Sequence, residues 1–348
     1  DVYKRQIQYI LYNCIFAYKV NYSMKLKLYI LLISILFVGF SCGDDGADDV
    51  IEVPEADRTE QQVIDNDSLV GYLQTHYVNE SILINNPSIL FNDIEINELP
   101  EDGDLPDPDQ NTLLIDLVET FTTTYFDVEY EYYVLKVNQG GSDNSPNFSD
   151  KVRVSYEGTL MDNTVFDSSI SPVDFDLTAT IAGWGRVLPE FNNAEDFIIN
   201  SDGTVTYNNP GIGIMFLPSG LGYYSAAAGS VPVYSNLIFK FKIYQSEVND
   251  HDFDNVPSHL EDLDGDYDLT DDNSDDDSFA DFVDSDDDND GTLTIDEDLE
   301  PDTDLTVDRD GDGDPTNDIG DGDPTNDDTD GDGIPNYLDP DDTASRDD

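Results

Sequence analysis

The 348-residue chain carries 78 acidic against 14 basic side chains, a net charge of −64, and only 38% of its residues are hydrophobic. So negative a surface excludes nucleic acid and an anionic membrane face as partners, because both would be repelled. The length allows two or three domains, and the low apolar share leaves part of the chain without a core of its own.

Taken in order, residues 1–23 precede Met24-Lys25-Leu26-Lys27, a short basic stretch that leads into the apolar run Leu28 to Phe40. A run this short, ending in small residues, has the anatomy of a secretory signal rather than of a spanning helix. The expectation is upstream translated sequence at 1–23 and a signal peptide at 24–41, a second hydrophobic anchor being the alternative for the first stretch. The run closes on Gly39-Phe40-Ser41-Cys42, which resembles the lipobox of bacterial lipoproteins, with Gly39 where an aliphatic residue is usual. That resemblance implies lipidation at Cys42, a membrane contact through the lipid, and an exported, cell-envelope location: an outer-membrane lipoprotein facing the periplasm or the surface. An ordinary signal peptide with an incidental cysteine is the alternative. Once 1–23 is set aside, Cys42 has no intrachain disulfide partner.

Residues 42–57 read as an acidic tether and 58–126 as a small helical and irregular region. Within it Val63, Leu69, Tyr72, Leu73 and Tyr77 lie near helical spacing, Ile82 to Pro108 is rich in Asn, Pro and Asp, and Thr112 to Thr123 reads as either a helix or a buried strand. Val128 to Val137 alternates apolar and polar residues and opens the next domain as a strand.

The most informative stretch follows. Val152, Val154 and Tyr156 alternate, the chain turns at Met161-Asp162-Asn163-Thr164, and Val165-Phe166-Asp167 returns, a β-hairpin pattern. After a Ser-Pro loop come Phe175 and Leu177, then Ile181-Ala182-Gly183-Trp184 with the only tryptophan. Asp202-Gly203 sits between two β-rich arms, Phe197 to Asn200 and Thr204 to Tyr207, and predicts an extra hairpin beside the expected cleft. Leu221-Gly222-Tyr223 and the apolar strand Leu237 to Ile243 close the region.

In this order the segments resemble the FKBP-type peptidyl-prolyl isomerases, with departures at Asn163, Thr180, Val233 and a shortened loop Ser225 to Gly229. The resemblance implies an α+β fold over 127–247, an antiparallel curved sheet or half-barrel wrapped on a short helix. It places Tyr156, Phe166, Phe175, Ile181, Trp184, Tyr223 and Phe239 at pocket positions, with Trp184 as floor, Phe166 and Phe239 as walls, and Val231 where the family often has Ile. Tyr223 would donate to a substrate carbonyl and Asp167 would accept at the rim. The partners implied are proline-containing polypeptides, and no cofactor is implied for catalysis.

The segment 248–348 is rich in Asp at regular spacing. Asp250, Asp252, Asp254 and Glu261 occupy positions 1, 3, 5 and 12 of a twelve-residue window, with Asn255 at the tight turn. Asp286, Asp288, Asp290, Thr292 and Glu297 repeat the pattern around Gly291, and Asp328, Asp330, Asp332 and Asp339 give a third copy around Gly333. Between them DGDPTND occurs at Asp312 to Asp318 and again at Asp321 to Asp327. Alternating oxygen ligands bent round a Gly suit Ca²⁺ rather than Zn²⁺, as a structural ion. Pro301 and Pro335 leave no room for paired helices, so the tail resembles thrombospondin type 3 calcium repeats; a solvated acidic tail without ions is the alternative. The leading expectation is an isomerase of exported proteins with a calcium-binding stalk or contact module. A non-catalytic peptide-binding or chaperone module, and a calcium-dependent surface adhesion protein, are the alternatives. The oligomeric state is left open.

Overall fold

The structure is a computed structural model that describes residues 55–297, 324–328 and 331–343. Residues 1–23, the signal segment, Cys42 and Asp330 lie outside the described residues. Helix α1 (Arg58–Thr75) starts behind Asp57, whose side chain accepts from the Glu60 amide at 3.0 Å, satisfying one of the free donors of the first turn. It buries Leu69, Tyr72 and Leu73. Strand β1 (His76–Asn79), the one-turn helix α2 (Glu80–Leu83), β2 (Asn97–Glu98) and β3 (Asn111–Leu113) follow, and β1 pairs antiparallel with both short strands.

The open choice at Thr112 to Thr123 resolves as neither alternative alone. The segment splits into the end of β3, a 3-10 turn at Leu114–Asp116, and the strand β4 (Glu119–Tyr125). β4 joins β5 (Val128–Asn138) in a hairpin, so the main sheet begins before the boundary expected at residue 127. The reversal is made by Phe126 and Asp127, both at positive φ. Next come β6 (Lys151–Thr159), β7 (Val165–Asp176), α3 (Ala182–Val187), the hairpin β8 (Asp196–Ile199) and β9 (Val205–Asn208), then β10 (Gly211–Leu217) and β11 (Leu237–Glu247). The sheet order is β4-β5-β10-β11-β6-β7, antiparallel throughout. Register shifts at Ile212/Gly213, Ile243/Gln245 and Val154/Tyr156 bend it, as inserted residues do. The Ser-Pro segment expected as a loop is instead part of β7, which runs on through Pro172 with a bulge.

Side chains alternate between the two faces, as the pleat requires. Tyr132, Val134, Met215, Leu217, Phe239 and Phe241 join the core that wraps α3; Tyr133, Leu135, Ile214, Phe216 and Ile238 join a second core under α1 and β1. β10 is therefore buried along its whole length. The fold is the FKBP-like half-barrel on a short helix, with the N-terminal region covering its outer face. Glycine is required where an aromatic ring lies against the backbone: a Cβ on Gly220 would lie 2.2 Å from the Tyr130 ring, and one on Gly158 2.7 Å from the Phe166 ring.

Candidate active site

Five aromatic rings converge on the inner face. Trp184 projects from α3, whose first turn is closed by the Trp184 amide donating to the Ile181 carbonyl at 3.0 Å. Its ring meets Tyr156 at 5.8 Å and 81°, Phe175 at 5.6 Å and 74°, and Phe239 at 5.1 Å. Phe166 stands edge-on to Phe239 at 5.4 Å and 87°. These separations and tilts are the edge-to-face geometry that aromatic quadrupoles favour. Trp184, Phe239 and Val231 are buried, while Phe166, Phe175, Ile181 and Tyr223 are part-exposed and pack on the same cluster. The structure thus gathers the sequence-predicted pocket residues Tyr156, Phe166, Phe175, Ile181, Trp184, Tyr223, Val231 and Phe239 in or against one hydrophobic cluster.

Two polar groups border this cup. The Tyr156 hydroxyl donates to Asp167 Oδ2 at 2.6 Å. Burial, then the hydrogen bond to Asp167, pushes the Tyr156 hydroxyl well above the ordinary tyrosine value. Burial and the nearby Asp167 carboxylate also raise Tyr223. Among the described residues the Tyr223 hydroxyl makes no hydrogen bond, which leaves it free to donate. The loop that carries Tyr223 and Val231 is braced from the outer face by α1. Asp65, buried on that helix, accepts from the Ser219 amide at 2.8 Å and the Ser219 hydroxyl at 2.5 Å, and its carbonyl accepts from Asn236 Nδ2 at 3.0 Å. Arg58 adds a cation–π contact 4.0 Å from the Tyr224 ring centre. Sequence reading missed these supports, since nothing in the helical pattern distinguishes a buried Asp65 from a solvated one.

The extra hairpin forms at Asp202-Gly203, but not beside the cup. Tyr207 stacks on Tyr244 at 4.4 Å, and the Ala194 amide donates to the Tyr244 carbonyl. Tyr244 lies five strand residues beyond Phe239, roughly 17 Å away at about 3.3 Å per residue. The hairpin therefore occupies the opposite end of β11, because its anchoring ring packs there.

In the tail the tight turns stand where the spacing put them: Asn255, Gly291 and Gly333 all have positive φ. The ligand sets differ in part. Asp252, Asp254 and Glu261 present carboxylate oxygens within 4.8 Å of one another, joined by Asp287 rather than by Asp250. Asp250 instead accepts from the Phe253 and Asn255 amides and shapes the loop. Asp286, Asp288 and Asp290 form a second group. Glu297 is 1% exposed and pushed up to about 8 by burial and by Asp288, Asp290 and Asp286. Thr292 donates its amide to Asp290. In the third loop Asp328 accepts from the Gly331 and Gly333 amides, Asp332 from Ile334, and Asp339 from Asp341. Two further groups, Asp262/Asp264/Asp272 and Asp275/Asp277/Asp284, were not singled out by the sequence reading. The D-x-D-G signal at Asp262-Leu263-Asp264-Gly265 was there to find them. Burial and mutual repulsion push Asp252 up to about 8, Glu261 to about 9 and Asp287 to about 10. An oxygen-seeking divalent cation fits such a donor set, since binding it would relieve the mutual repulsion of these carboxylates.

Comparison with known proteins agrees with the geometry. Residues 142–244 match the family model described as FKBP-type peptidyl-prolyl cis-trans isomerase. The chain is 32% identical over 129 residues to the FKBP-type peptidyl-prolyl cis-trans isomerase FkpA of Aeromonas hydrophila, covering 36% of this chain and 41% of that protein. It is 46% identical over 56 residues to the peptidyl-prolyl cis-trans isomerase Mip of Coxiella burnetii, covering 15% and 24%. The crystal structure of FkpA from Escherichia coli aligns at 25% identity and a TM-score of 0.29, covering 38% of this chain and 52% of that one. The chain spans less than half the length of these curated relatives. With the half-barrel, the ring cluster and the family match in agreement, the chain carries, between residues 142 and 244, a domain of the FKBP-type peptidyl-prolyl cis-trans isomerase family.

Proposed function

We propose that this protein catalyses cis-trans isomerisation of X–Pro bonds in exported polypeptides, with a lipid on Cys42 holding it at the cell envelope and a calcium-binding acidic tail serving as stalk or contact module. The uncatalysed barrier is about 18–20 kcal/mol because the C–N bond has double-bond character. Twisting removes that resonance and leaves a less polar amide, so an apolar enclosure stabilises the twisted state more than either planar one. The observation that carries the reading is the ring cluster of Trp184, Tyr156, Phe175, Phe239 and Phe166, with the donor Tyr223 at its border. The cup offers shape and one hydrogen-bond donor; it needs no nucleophile and no proton transfer.

A proline-peptide assay tests this: the purified protein accelerates cis-to-trans conversion, and Trp184→Ala or Tyr223→Ala removes most of the acceleration. Peptide binding without acceleration would favour a second reading, a peptide-holding chaperone. That reading has its own motive in the β8–β9 hairpin, where Phe197, Ile198, Ile199 and Val205 are all exposed. For the tail, hydrodynamic radius should contract on adding millimolar calcium to chelator-treated protein, and an unchanged radius would count against the calcium part. The surface-adhesion alternative fails if deleting residues 248–348 leaves cell attachment unchanged.

A further inference from the structure

We propose that a divalent cation held by Asp252, Asp254, Glu261 and Asp287 acts as a clasp that seats the acidic tail against the floor of the isomerase cup. The inference rests on the calcium reading above and deepens it, by naming a fourth ligand and a structural consequence of binding.

The four carboxylates come from two loops that are separate in sequence, yet each offers an oxygen within 4.8 Å of the others. Asp254, Glu261 and Asp287 are each 1% exposed. Among the described residues, neither oxygen of Asp252, Glu261 or Asp287 has a hydrogen-bond partner, nor does Oδ2 of Asp254. Buried carboxylates are otherwise paired or hydrogen-bonded, because desolvating them unpaired is costly. Four carboxylates can supply most of the six to eight oxygens that Ca²⁺ takes. A cation here would tie the loop after β11 to the loop containing Asp287.

The first of those loops touches the segment that leads into the catalytic floor. His251, beside Asp252, has Nε2 3.2 Å from Asp176 Oδ2 and 3.3 Å from Thr178 Oγ1, on the segment that leads into Ile181 and α3. The His251 ring also meets Phe282 edge-on at 5.4 Å. Farther on, Tyr267 packs edge-on against Phe148 at 5.0 Å and lies 5.7 Å from the guanidinium of Arg186, which donates to the Asp266 carbonyl at 3.4 Å. Arg186 is two residues beyond Trp184 on α3. The seam keeps a cavity of about 280 Å³ lined by Phe148, Leu177, Arg186, Tyr267 and Phe282. Tail and domain are therefore apposed rather than fused, so their seating can respond to an ion.

Trp184, the only tryptophan of the chain, is a built-in reporter. The experiment titrates the full chain with calcium chloride and follows heat of binding and tryptophan emission in parallel. Expected are a calcium-dependent emission change and an Asp287→Asn midpoint raised about tenfold or more. Glu261→Gln should shift it in the same direction. Tyr267→Ala, at a half-exposed ring, should retain the heat of binding and lose the emission change. Calcium binding with silent tryptophan emission, or an unshifted midpoint in Asp287→Asn, overturns the clasp while leaving the calcium reading intact. Absence of any heat of binding at millimolar calcium overturns both.

Discussion

The Tyr156 hydroxyl donates a 2.6 Å hydrogen bond to Asp167 Oδ2, linking adjacent strands β6 and β7 and joining the inner wall of the cup to its rim. That bond fixes the tilt of the Tyr156 ring, which meets Trp184 at 81°. Breaking it loosens one wall without emptying the core. Asp167→Ala should therefore lower kcat/KM about tenfold, the equivalent of about 1.4 kcal/mol for a hydrogen bond to a charged acceptor, with little change in Tm. Tyr156→Phe should move in the same direction. An unchanged kcat/KM in both variants would remove the wall from the account.

Trp184 carries both fold and site. Its ring is 3% exposed and lies between 5.1 and 5.9 Å from those of Tyr156, Phe175, Phe239 and Phe241. Trp184→Ala should cost about 3–5 kcal/mol of stability and remove most of the activity. Trp184→Phe, which keeps an apolar floor, should retain more of each. Chemical denaturation and the peptide assay, run on the same samples, separate the two effects. Full activity in Trp184→Ala would show that the floor does not shape the transition state.

The pH profile distinguishes an apolar cup from acid–base catalysis. Burial together with Asp167 raises Tyr156 and Tyr223 from their ordinary value of 10.0. The Tyr223 donor therefore stays protonated throughout the neutral and mildly alkaline range. We expect kcat/KM to be flat from about pH 7 to about pH 9. A bell centred near neutrality would signal a titrating catalytic group and contradict the mechanism.

Asp65 is a lever on the cup from the outer face. Asp65→Ala strands the buried Ser219 amide and hydroxyl and should destabilise by about 3 kcal/mol, with faster amide exchange across residues 218–224. Burial lifts the Asp65 carboxyl above its ordinary 3.8 in spite of the bonds from Ser219 and Gln61. The folded state then holds that proton more tightly than the unfolded chain does. The resulting stabilisation is fully present below about pH 3.8, is lost as pH rises through the folded pKa, and changes no further above it. Asp65→Asn should remove that slope from denaturation curves recorded across the acid range; an identical slope in wild type and Asp65→Asn would contradict it.

The half-barrel was legible because β-hairpin alternation and fixed spacings of Phe166-Asp167, Trp184 and Tyr223 lie in contiguous segments. Each is a local signal. Asp65, Arg58 and Arg186 were not legible, because their roles depend on partners far away in sequence: Ser219, Tyr224, and Tyr125 with Tyr267. The same reason explains the tail. Spacing found Asp252, Asp254 and Glu261 within one loop, but the fourth carboxylate, Asp287, arrives from another and no single window contains it. The hairpin at Asp202-Gly203 was visible while its place was not, since the contacts that dock it, the Tyr207–Tyr244 stack and the Ala194–Tyr244 backbone bond, join residues far apart in sequence.

The central claim is that the ring cup lowers the barrier to rotation about an X–Pro bond. Exchange spectroscopy on an X–Pro peptide at equilibrium, with catalytic amounts of the purified full chain, measures that barrier directly. The account predicts cis–trans exchange far faster than in buffer, and close to the buffer rate with Trp184→Ala. Exchange at the buffer rate with the wild-type protein, under conditions where the peptide binds, would contradict it.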